Sequence, residues 1–187
     1  MTLFRPISRG VMAAAISLFA AFPALSGTPV IYKDQGKALF QLDVPDFWNV
    51  RVGGARNLQA PQEDTPREVP RLIGLTPEGM DDVFVGFIAP RQVSSFEQGL
   101  AYMSEIGPHL VRDAEVSSSE RRRIAGFPAM RVAGTGRRNG KTVHFTAVLI
   151  DIPGPRMAFS VTVLEAGHDP AVLDDVNAIY DSFRSAR

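Results

Sequence analysis

The four residues Arg138-Asn139-Gly140-Lys141 constrain the fold of this 187-residue chain more than any other segment. An Asn-Gly pair accepts the positive φ angles of a type I′ turn, which joins two antiparallel strands directly. Beyond the turn, every second residue from Val143 to Leu149 is apolar, so one face of the outgoing strand is predicted to be buried. Val148 and Ile150 make the end of that strand apolar on both faces, as in a central strand covered on two sides. An antiparallel sheet is therefore predicted around this hairpin.

Further strands are predicted on both sides of the hairpin, from short alternating or apolar segments bounded by turn residues. Phe40, Leu42 and Val44, for example, share one face of a predicted strand over residues 38–44. The segment 57–70 carries three prolines and is predicted to be a surface loop. The other predicted strands cover residues 48–52, 71–75, 83–88, 115–124, 129–134 and 156–164.

Two helices are predicted as well. Ser94 and Glu97 have the spacing of a capping box at the start of the first helix, and Gly107-Pro108 is predicted to kink or break it because proline lacks the amide donor. The second helix is predicted to start at Asp169-Pro170, with proline in the first helical position. Its apolar stripe consists of Val172, Leu173, Val176, Ile179, Tyr180 and Phe183. The order strands, helix, four strands, helix indicates an α+β fold, with a largely antiparallel sheet and helices packed against it.

The N-terminus has the features of a cleavable secretory signal. Arg5 and Arg9 precede an apolar run over residues 11–22, and Ala24 and Ser26 fit the small-x-small pattern that signal peptidase cleaves. The run is shorter than the roughly 20 residues of a membrane-spanning helix. A short amphipathic or anchoring helix is the alternative, which the missing polar face disfavours. We predict a signal peptide over residues 1–26, cleaved near Ser26.

Cleavage at that point leaves residues 27–187, which we expect to form one domain in the periplasm or the medium. This part has two more acidic than basic residues, so its charge gives no reason to expect nucleic acid or an anionic membrane as a partner. The chain has no cysteine, which excludes disulfides, a thiol nucleophile and a lipid-modified cysteine anchor. Stability is therefore expected to come from packing alone, without a stable membrane anchor.

No motif for catalysis, metal binding or cofactor binding is found. The glycine-rich segment 134–142 superficially resembles a phosphate-binding loop, but Thr135 replaces a required glycine and a strand follows instead of a helix. His109, His144 and His168 lack the spacing of metal ligands, and no Gly-x-Ser-x-Gly motif occurs. We predict no catalytic residue, no metal and no cofactor. A hydrolytic site assembled from distant segments stays open as an alternative, because such sites are defined by geometry.

The candidate residues for binding a ligand or partner are one tryptophan and four arginines: Trp48, Arg121, Arg123, Arg137 and Arg138. Arg121 and Arg123 share one face of a predicted strand, and Arg122 takes the other. With the second pair of arginines they could form a basic edge that contacts an acidic partner or lipid headgroups. The alternative is an edge strand whose charges discourage aggregation. Trp48 is predicted to be a core anchor, or else to line a ligand pocket.

Several segments together resemble the PsbP-like fold superfamily, which includes DcrB-like bacterial envelope proteins. They are Phe40–Val50, Ile124–Arg131, the Asn139-Gly140 hairpin and Asp181–Arg184. The resemblance implies an antiparallel sheet with helices on both faces, an α/β/α sandwich. Its known members are mostly accessory proteins, such as photosystem assembly subunits, a Ran-binding protein, secretion-effector chaperones and exported lipoproteins, and it supplies no catalytic residues. This chain lacks the lipid-attachment cysteine of the lipoprotein members, so the resemblance does not imply membrane tethering.

Three functions are compatible with these observations. The preferred hypothesis is a non-catalytic periplasmic accessory or binding protein that engages another envelope protein through a sheet edge or a groove. The second is a carrier that holds a small apolar or amphipathic ligand between a helix and the sheet near Trp48, which requires a cavity of a few hundred Å³. The third is a hydrolase, which requires a histidine within hydrogen-bonding distance of a serine or a carboxylate.

Overall fold

The computed structural model describes residues 27–54, 56–58, 67–69 and 71–186. The predicted signal peptide and its cleavage point therefore lie outside the described residues. The strands, in chain order, are β1 Gly27–Asp34, β2 Lys37–Pro45, β3 Trp48–Val52, β4 Arg56–Leu58, β5 Arg67–Val69, β6 Ile73–Pro77, β7 Val83–Ile88, β8 Arg112–Ile124, β9 Phe127–Arg138, β10 Lys141–Asp151, β11 Met157–Glu165 and β12 Arg184–Ser185. The helices are α1 Phe96–Leu110 and α2 Val172–Asp181.

Seven strands form the main sheet, in the order β3-β6-β7-β11-β10-β9-β8, and every neighbouring pair is antiparallel. The predicted hairpin joins β9 to β10, and Asn139 and Gly140 have φ angles of 51° and 81°, as a type I′ turn requires. A smaller sheet has the order β1-β2-β12. The prediction of a largely antiparallel α+β fold is confirmed.

The surface-loop prediction for residues 57–70 is wrong at both ends. Residues 56–58 and 67–69 pair as the short antiparallel strands β4 and β5. Proline content favoured a loop, but two three-residue strands need only a few backbone hydrogen bonds and leave the prolines outside the pairing. The remaining part of the segment, apart from these strands, lies outside the described residues.

The central strands β10 and β11 are largely buried and contribute residues to all three apolar clusters of the described residues, two of which involve the helices most. Consecutive residues of a strand point to opposite faces, so Val148 and Leu149 belong to different clusters although both are buried. The first cluster combines Val148 and its neighbours with β2 and α2, through Phe40, Ile179 and Phe183. Phe40 stacks on Phe183 with ring centroids 5.1 Å apart, which fixes the small sheet to the end of α2.

The second cluster forms on the Leu149 side of the sheet, where α1 packs. Leu149, Met157 and Phe159 are buried there against Phe96 and Tyr102 of α1. Among the described residues, no helix is long and apolar enough to cross a bilayer.

Two details of α1 differ from the prediction. Its N-cap is Ser95, whose hydroxyl accepts a hydrogen bond from the Gln98 amide at 3.2 Å, while the Gln98 side chain accepts one from the Ser94 amide at 2.9 Å. The cap therefore lies one residue later than predicted, and Gln98, instead of Glu97, reaches back, to the amide before the N-cap. The helix also runs through Pro108 to Leu110, so the predicted break is wrong. Proline removes only one amide donor near the end of the helix. The last turn is still held by a hydrogen bond from the Val111 amide to the Gly107 carbonyl.

The predicted start of α2 is also only partly correct. The helix begins at Val172, and the Asp169 carboxylate accepts a hydrogen bond from the Ala171 amide at 2.9 Å in the turn before it. Most of the predicted apolar stripe is buried, but Leu173 is 38% exposed. It lies at the margin of the stripe, where a helical period of 3.6 residues leaves a side chain facing outward.

Asp34 ties the β1–β2 turn to two other loops. Arg91, which precedes α1, donates two hydrogen bonds to its carboxylate at 2.9 and 3.0 Å, and Arg156, which precedes β11, donates a third at 2.8 Å. The hydrogen bonds from Arg91, and to a smaller extent the one from Arg156, hold the pKa of Asp34 well below its usual range. The cluster therefore fastens the small sheet to the ends of α1 and β11.

The stability contributed by Asp34 should depend on pH. Because its pKa is lower in the folded than in the unfolded chain, the contribution is complete above about pH 5 and is lost as pH falls below the unfolded value of about 3.9. Asp34→Asn should lower the free energy of unfolding by about 1–3 kcal/mol at pH 7 and by less at pH 3, as measured by urea denaturation. Asp46→Asn, at an exposed turn position, is the matched control and should change stability little at either pH. An equal effect of Asp34→Asn at both pH values would contradict this interpretation.

Gly99 permits the close approach of α1 to the sheet. A Cβ atom at this position would clash with the Leu149 side chain, whereas one at Gly107, on the same helix, would meet no atom within 4 Å. Gly99→Ala should therefore lower the free energy of unfolding by about 1–3 kcal/mol through overpacking. Gly107→Ala should raise it by about 0.5–1 kcal/mol, because alanine is the better helix former. Urea denaturation of both variants tests this, and a stabilising Gly99→Ala would refute the proposed contact.

Candidate ligand-binding cavity

A cavity of about 450 Å³ lies between α1 and the Leu149 side of the seven-stranded sheet. Its floor includes Gly86, Ala147 and Phe159 from three neighbouring strands, and its roof includes Leu100 and Ile106 of α1. The wall consists almost entirely of apolar side chains and glycine. Cavities of roughly 300–1,000 Å³ with mainly apolar walls are typical of small-molecule sites.

The cavity follows from the way α1 approaches the sheet. Near the start of the helix, Gly99 allows close contact with Leu149, and just beyond its end, Gly136 allows close contact with Val111. The floor of the cavity includes the small residue Ala147, whose side chain leaves space under the helix unfilled.

The exposed wall residues show where the cavity opens. All of them come from α1, from β8 or from the short link between the two: Ser104, Pro108, Ala114, Val116 and Ser119. Leu72, which precedes β6, and the wall residues from β7, β9, β10 and β11 are buried or half-buried. The described part of the cavity therefore opens through the cleft between α1 and β8, which we call the mouth.

A β-bulge in β8 decides which side chains face the mouth. Val116 pairs with Gly134 and Ser118 with Ala133, so Ser117 is the additional residue of β8, and its hydroxyl donates to the Ala133 carbonyl at 3.1 Å. Val116 and Ser119, three residues apart, consequently lie on the same face.

Arg121 and Arg123 follow Ser119 on this face, and Arg122 points the other way, as the sequence predicts. The Arg121 guanidinium lies 5.7 Å from the centre of the Phe96 ring at the start of α1. Arg122 forms an ion pair with Glu120, N to O 3.1 Å, on the opposite face. All three arginines are exposed on β8, which is an edge strand of the main sheet.

Arg137 and Arg138 lie at the other end of the β8–β9 pair. Arg121 is opposite Met130 on β9, seven residues before Arg137, which corresponds to about 23 Å along the strand. Arg137 donates to the Gly140 carbonyl at 3.3 Å, and the Arg138 guanidinium lies 4.9 Å from the centre of the Phe84 ring. The suggested single basic edge of four arginines therefore does not form. The two pairs are close in sequence, but the long strands β8 and β9 place them at opposite ends.

Trp48 lies in the first apolar cluster, outside the cavity. It is 7% exposed, and its indole N–H donates to the Asp175 carboxylate of α2 at 2.9 Å. This matches a core anchor. The cavity lies under α1, and its wall does not include this residue.

The three histidines lie at the surface or beside backbone carbonyls. His109 and His144 are exposed, and Nδ1 of His168 lies 3.0 Å from the backbone carbonyl of Glu165. Within the described ranges, no histidine is hydrogen-bonded to a serine hydroxyl or a carboxylate, and no group of three or more possible ligands could hold a metal ion.

Two buried tyrosines flank the site without lining it. Burial raises the pKa of Tyr180, whose hydroxyl lies 2.7 Å from Ser160 and 3.1 Å from Thr162. Burial raises the pKa of Tyr102 on α1 to about 12, and its hydroxyl has no hydrogen-bond partner among the described residues. Both side chains are therefore neutral at physiological pH and supply no charge to the cavity.

Neither a protein-family model nor a curated protein matches this sequence. Solved structures do match. LpqN of Mycobacterium tuberculosis, described as involved in cell envelope biogenesis, has a TM-score of 0.49 and 18% identity, covering 87% of this chain and 91% of LpqN. The cyanobacterial PsbP of Synechocystis, CyanoP, has a TM-score of 0.49 and 12% identity, covering 90% of this chain and 99% of that protein. A Bacteroides thetaiotaomicron protein has a TM-score of 0.51 and 10% identity, covering 86% of this chain and 49% of the other. At identities of 10–18%, a likeness to these solved structures concerns the fold alone.

The role of Trp48 as a core anchor can be tested with Trp48→Phe. The variant keeps an aromatic ring but leaves the Asp175 carboxylate without its donor, so the free energy of unfolding should fall by about 1–3 kcal/mol. Because Trp48 is the only tryptophan, the unfolding is followed by circular dichroism. Asp175→Ala should cost less in the Trp48→Phe background than in the parent protein, and additive effects would contradict a direct hydrogen bond.

Proposed function

We propose that this chain is an exported, non-catalytic binding protein that holds one small, mainly apolar ligand between α1 and the sheet. The observation that carries the proposal is the cavity of about 450 Å³ with apolar walls and one described opening, the α1–β8 cleft. A ligand that transfers apolar surface from water into this space gains about 25 cal/mol per Å². The position outside the cytoplasm rests on the signal pattern of residues 1–26.

The composition of the wall favours binding over catalysis. Its described residues include no acid, no basic side chain and no histidine, and their hydroxyl groups belong to Ser104, Ser119 and Ser160. Ser160 lies within hydrogen-bonding distance of Tyr180, and Ser104 donates to the Leu100 carbonyl of its own helix. Acid–base or nucleophilic catalysis needs a group that can accept or release a proton beside the reacting atoms. These walls supply shape and apolar contact instead.

The cavity supports ligand binding better than the free edge of β8 supports recognition of an envelope protein. A partner strand could add to the free edge of β8, but this strand carries exposed charged side chains towards both of its ends, which discourage edge-to-edge pairing. The cavity, in contrast, has a defined volume, wall and mouth. An envelope partner fits this proposal best as the donor or acceptor of the ligand.

We also propose that the two helices pack on opposite faces of the sheet and have different roles. Consecutive strand residues alternate between faces, and α1 packs with Leu149 whereas α2 packs with Val148 and Ile150. In this arrangement α2 and the small sheet stabilise the fold, and α1 covers the ligand. The two tasks are then carried by different apolar clusters.

Filling the cavity tests the proposal. The neutral apolar dye N-phenyl-1-naphthylamine should bind the purified protein at one site per chain, with a rise in its fluorescence. Ala147→Phe places a phenyl group on the cavity floor and should weaken dye binding at least tenfold while the protein stays folded by circular dichroism. Ala101→Phe adds the same group to an exposed position of α1 that does not line the cavity, and should leave dye binding unchanged. Absence of dye binding to the parent protein, or equal affinity of both variants, would refute the site.

A further inference from the structure

We infer that the ligand of this cavity is a single-chain amphipathic anion, with its apolar chain under α1 and its anionic head at Arg121 and Arg123. The inference rests on the proposed function and specifies its ligand class. It comes from the distribution of charge around the mouth, which the cavity volume alone does not reveal.

The mouth-facing side of β8 carries positive charge and no acid. From the bulge onward it presents Val116, Ser119, Arg121 and Arg123, so its polarity increases steadily away from the cavity. Successive residues on one face are about 7 Å apart, which places Arg121 one such step beyond the wall residue Ser119. An apolar chain lying along this face would bring a polar head to the arginines.

The neighbouring acids on β8 lie on its other face. Glu120 is engaged there by Arg122 and by Arg131, at N to O distances of 3.1 and 3.2 Å. Within the described ranges, Arg121 and Arg123 form no ion pair. Arg121 and Arg123, which face the mouth, are therefore available to an anion. Arg122, which faces away, is neutralised by Glu120.

The start of α1 adds to this field. Arg121 lies over Phe96, the first residue of α1, so the guanidinium is held at the end of the helix where the backbone dipole is positive. Glu97, in the same turn, is the one acid nearby on α1 and forms no ion pair with Arg121. Two guanidinium groups and a helix N-terminus thus outweigh one carboxylate at this corner of the mouth.

The opposite end of the cavity does not offer an equivalent site. Arg138 lies over Phe84 there, but Glu165 and Lys141 form an ion pair at the same end of the sheet, and Asp82 lies close by, since the Glu165 amide donates to its carbonyl at 2.8 Å. The volume of about 450 Å³ lies near the lower end of the range for ligand sites, which favours one aliphatic chain over a two-chain lipid.

The experiment compares two ligands that share a chain and differ in charge. Sodium decanoate and 1-decanol are titrated, below micelle formation, against the protein carrying N-phenyl-1-naphthylamine, and displacement of the dye gives their affinities. The parent protein should bind decanoate more tightly than decanol, and added salt should weaken only decanoate. Arg121→Gln/Arg123→Gln should weaken decanoate about tenfold and leave decanol within twofold. Arg122→Gln is the matched control and should change neither affinity.

The outcomes separate this inference from the proposed function. If decanol displaces the dye but decanoate binds no better, or if the double variant leaves decanoate unaffected, the anionic head is refuted and the apolar site stands. If neither ligand displaces the dye, or no dye binds, the proposed function itself fails. Binding to vesicles of anionic phospholipid that the double variant abolishes, without a change in decanoate affinity, would assign the arginines to a membrane surface and overturn the inference.

Discussion

The burial of β10 and β11 on both faces is the constraint on which the rest of the structure depends. A strand that is apolar on one side needs one partner layer, but Val148, Leu149 and Ile150 are all buried, so each side of the sheet has to be covered. Val148 and Ile150 belong to an apolar cluster that includes α2 and the small sheet, around Phe40 and Phe183. Leu149 belongs to another cluster, to which α1 is the one helix that contributes among the described residues.

The cavity lies under α1, on the Leu149 side of the sheet. α1 approaches the sheet closely at Gly99 and at Gly136, where glycine leaves room for Leu149 and Val111. Ala147 lies on the floor of the space below the helix, and a larger side chain there would fill part of it, as close-packed interiors normally do.

The sequence predicted the parts of the fold that depend on local patterns. The Asn139-Gly140 hairpin, the alternation of β2 and the two-sided burial of β10 follow from turn chemistry and from a period of two, and all are confirmed. The cap of α1 was displaced by one residue because Ser94 and Ser95 are adjacent and both can cap, so only the backbone geometry decides between them. The continuation of α1 through Pro108 depends on how few residues follow the proline, which its sequence pattern does not reveal.

The candidate site could be predicted only in part, for a similar reason. Arg121 and Arg123 were identified from charge alone, but their position at a cavity mouth depends on contacts between residues far apart in the sequence, such as Gly99 with Leu149 and Gly136 with Val111. Arg137 and Arg138 were grouped with them because they are close along the chain, although the long β8–β9 hairpin separates the two pairs. Trp48 was a reasonable candidate for a pocket, but its indole N–H is used in a contact with α2.

The bulge at Ser117 changes which residues of β8 face the mouth. Strict alternation from Val116 would place Ser118, Glu120 and Arg122 beside the mouth. The charges of Glu120 and Arg122, which form an ion pair, would then cancel each other there. The additional residue exchanges the two faces for the remainder of the strand and turns a neutral rim into a cationic one. A single backbone irregularity can therefore reset the electrostatic character of an opening without any change in composition, and related chains that lack the bulge would have a different rim even with the same arginines.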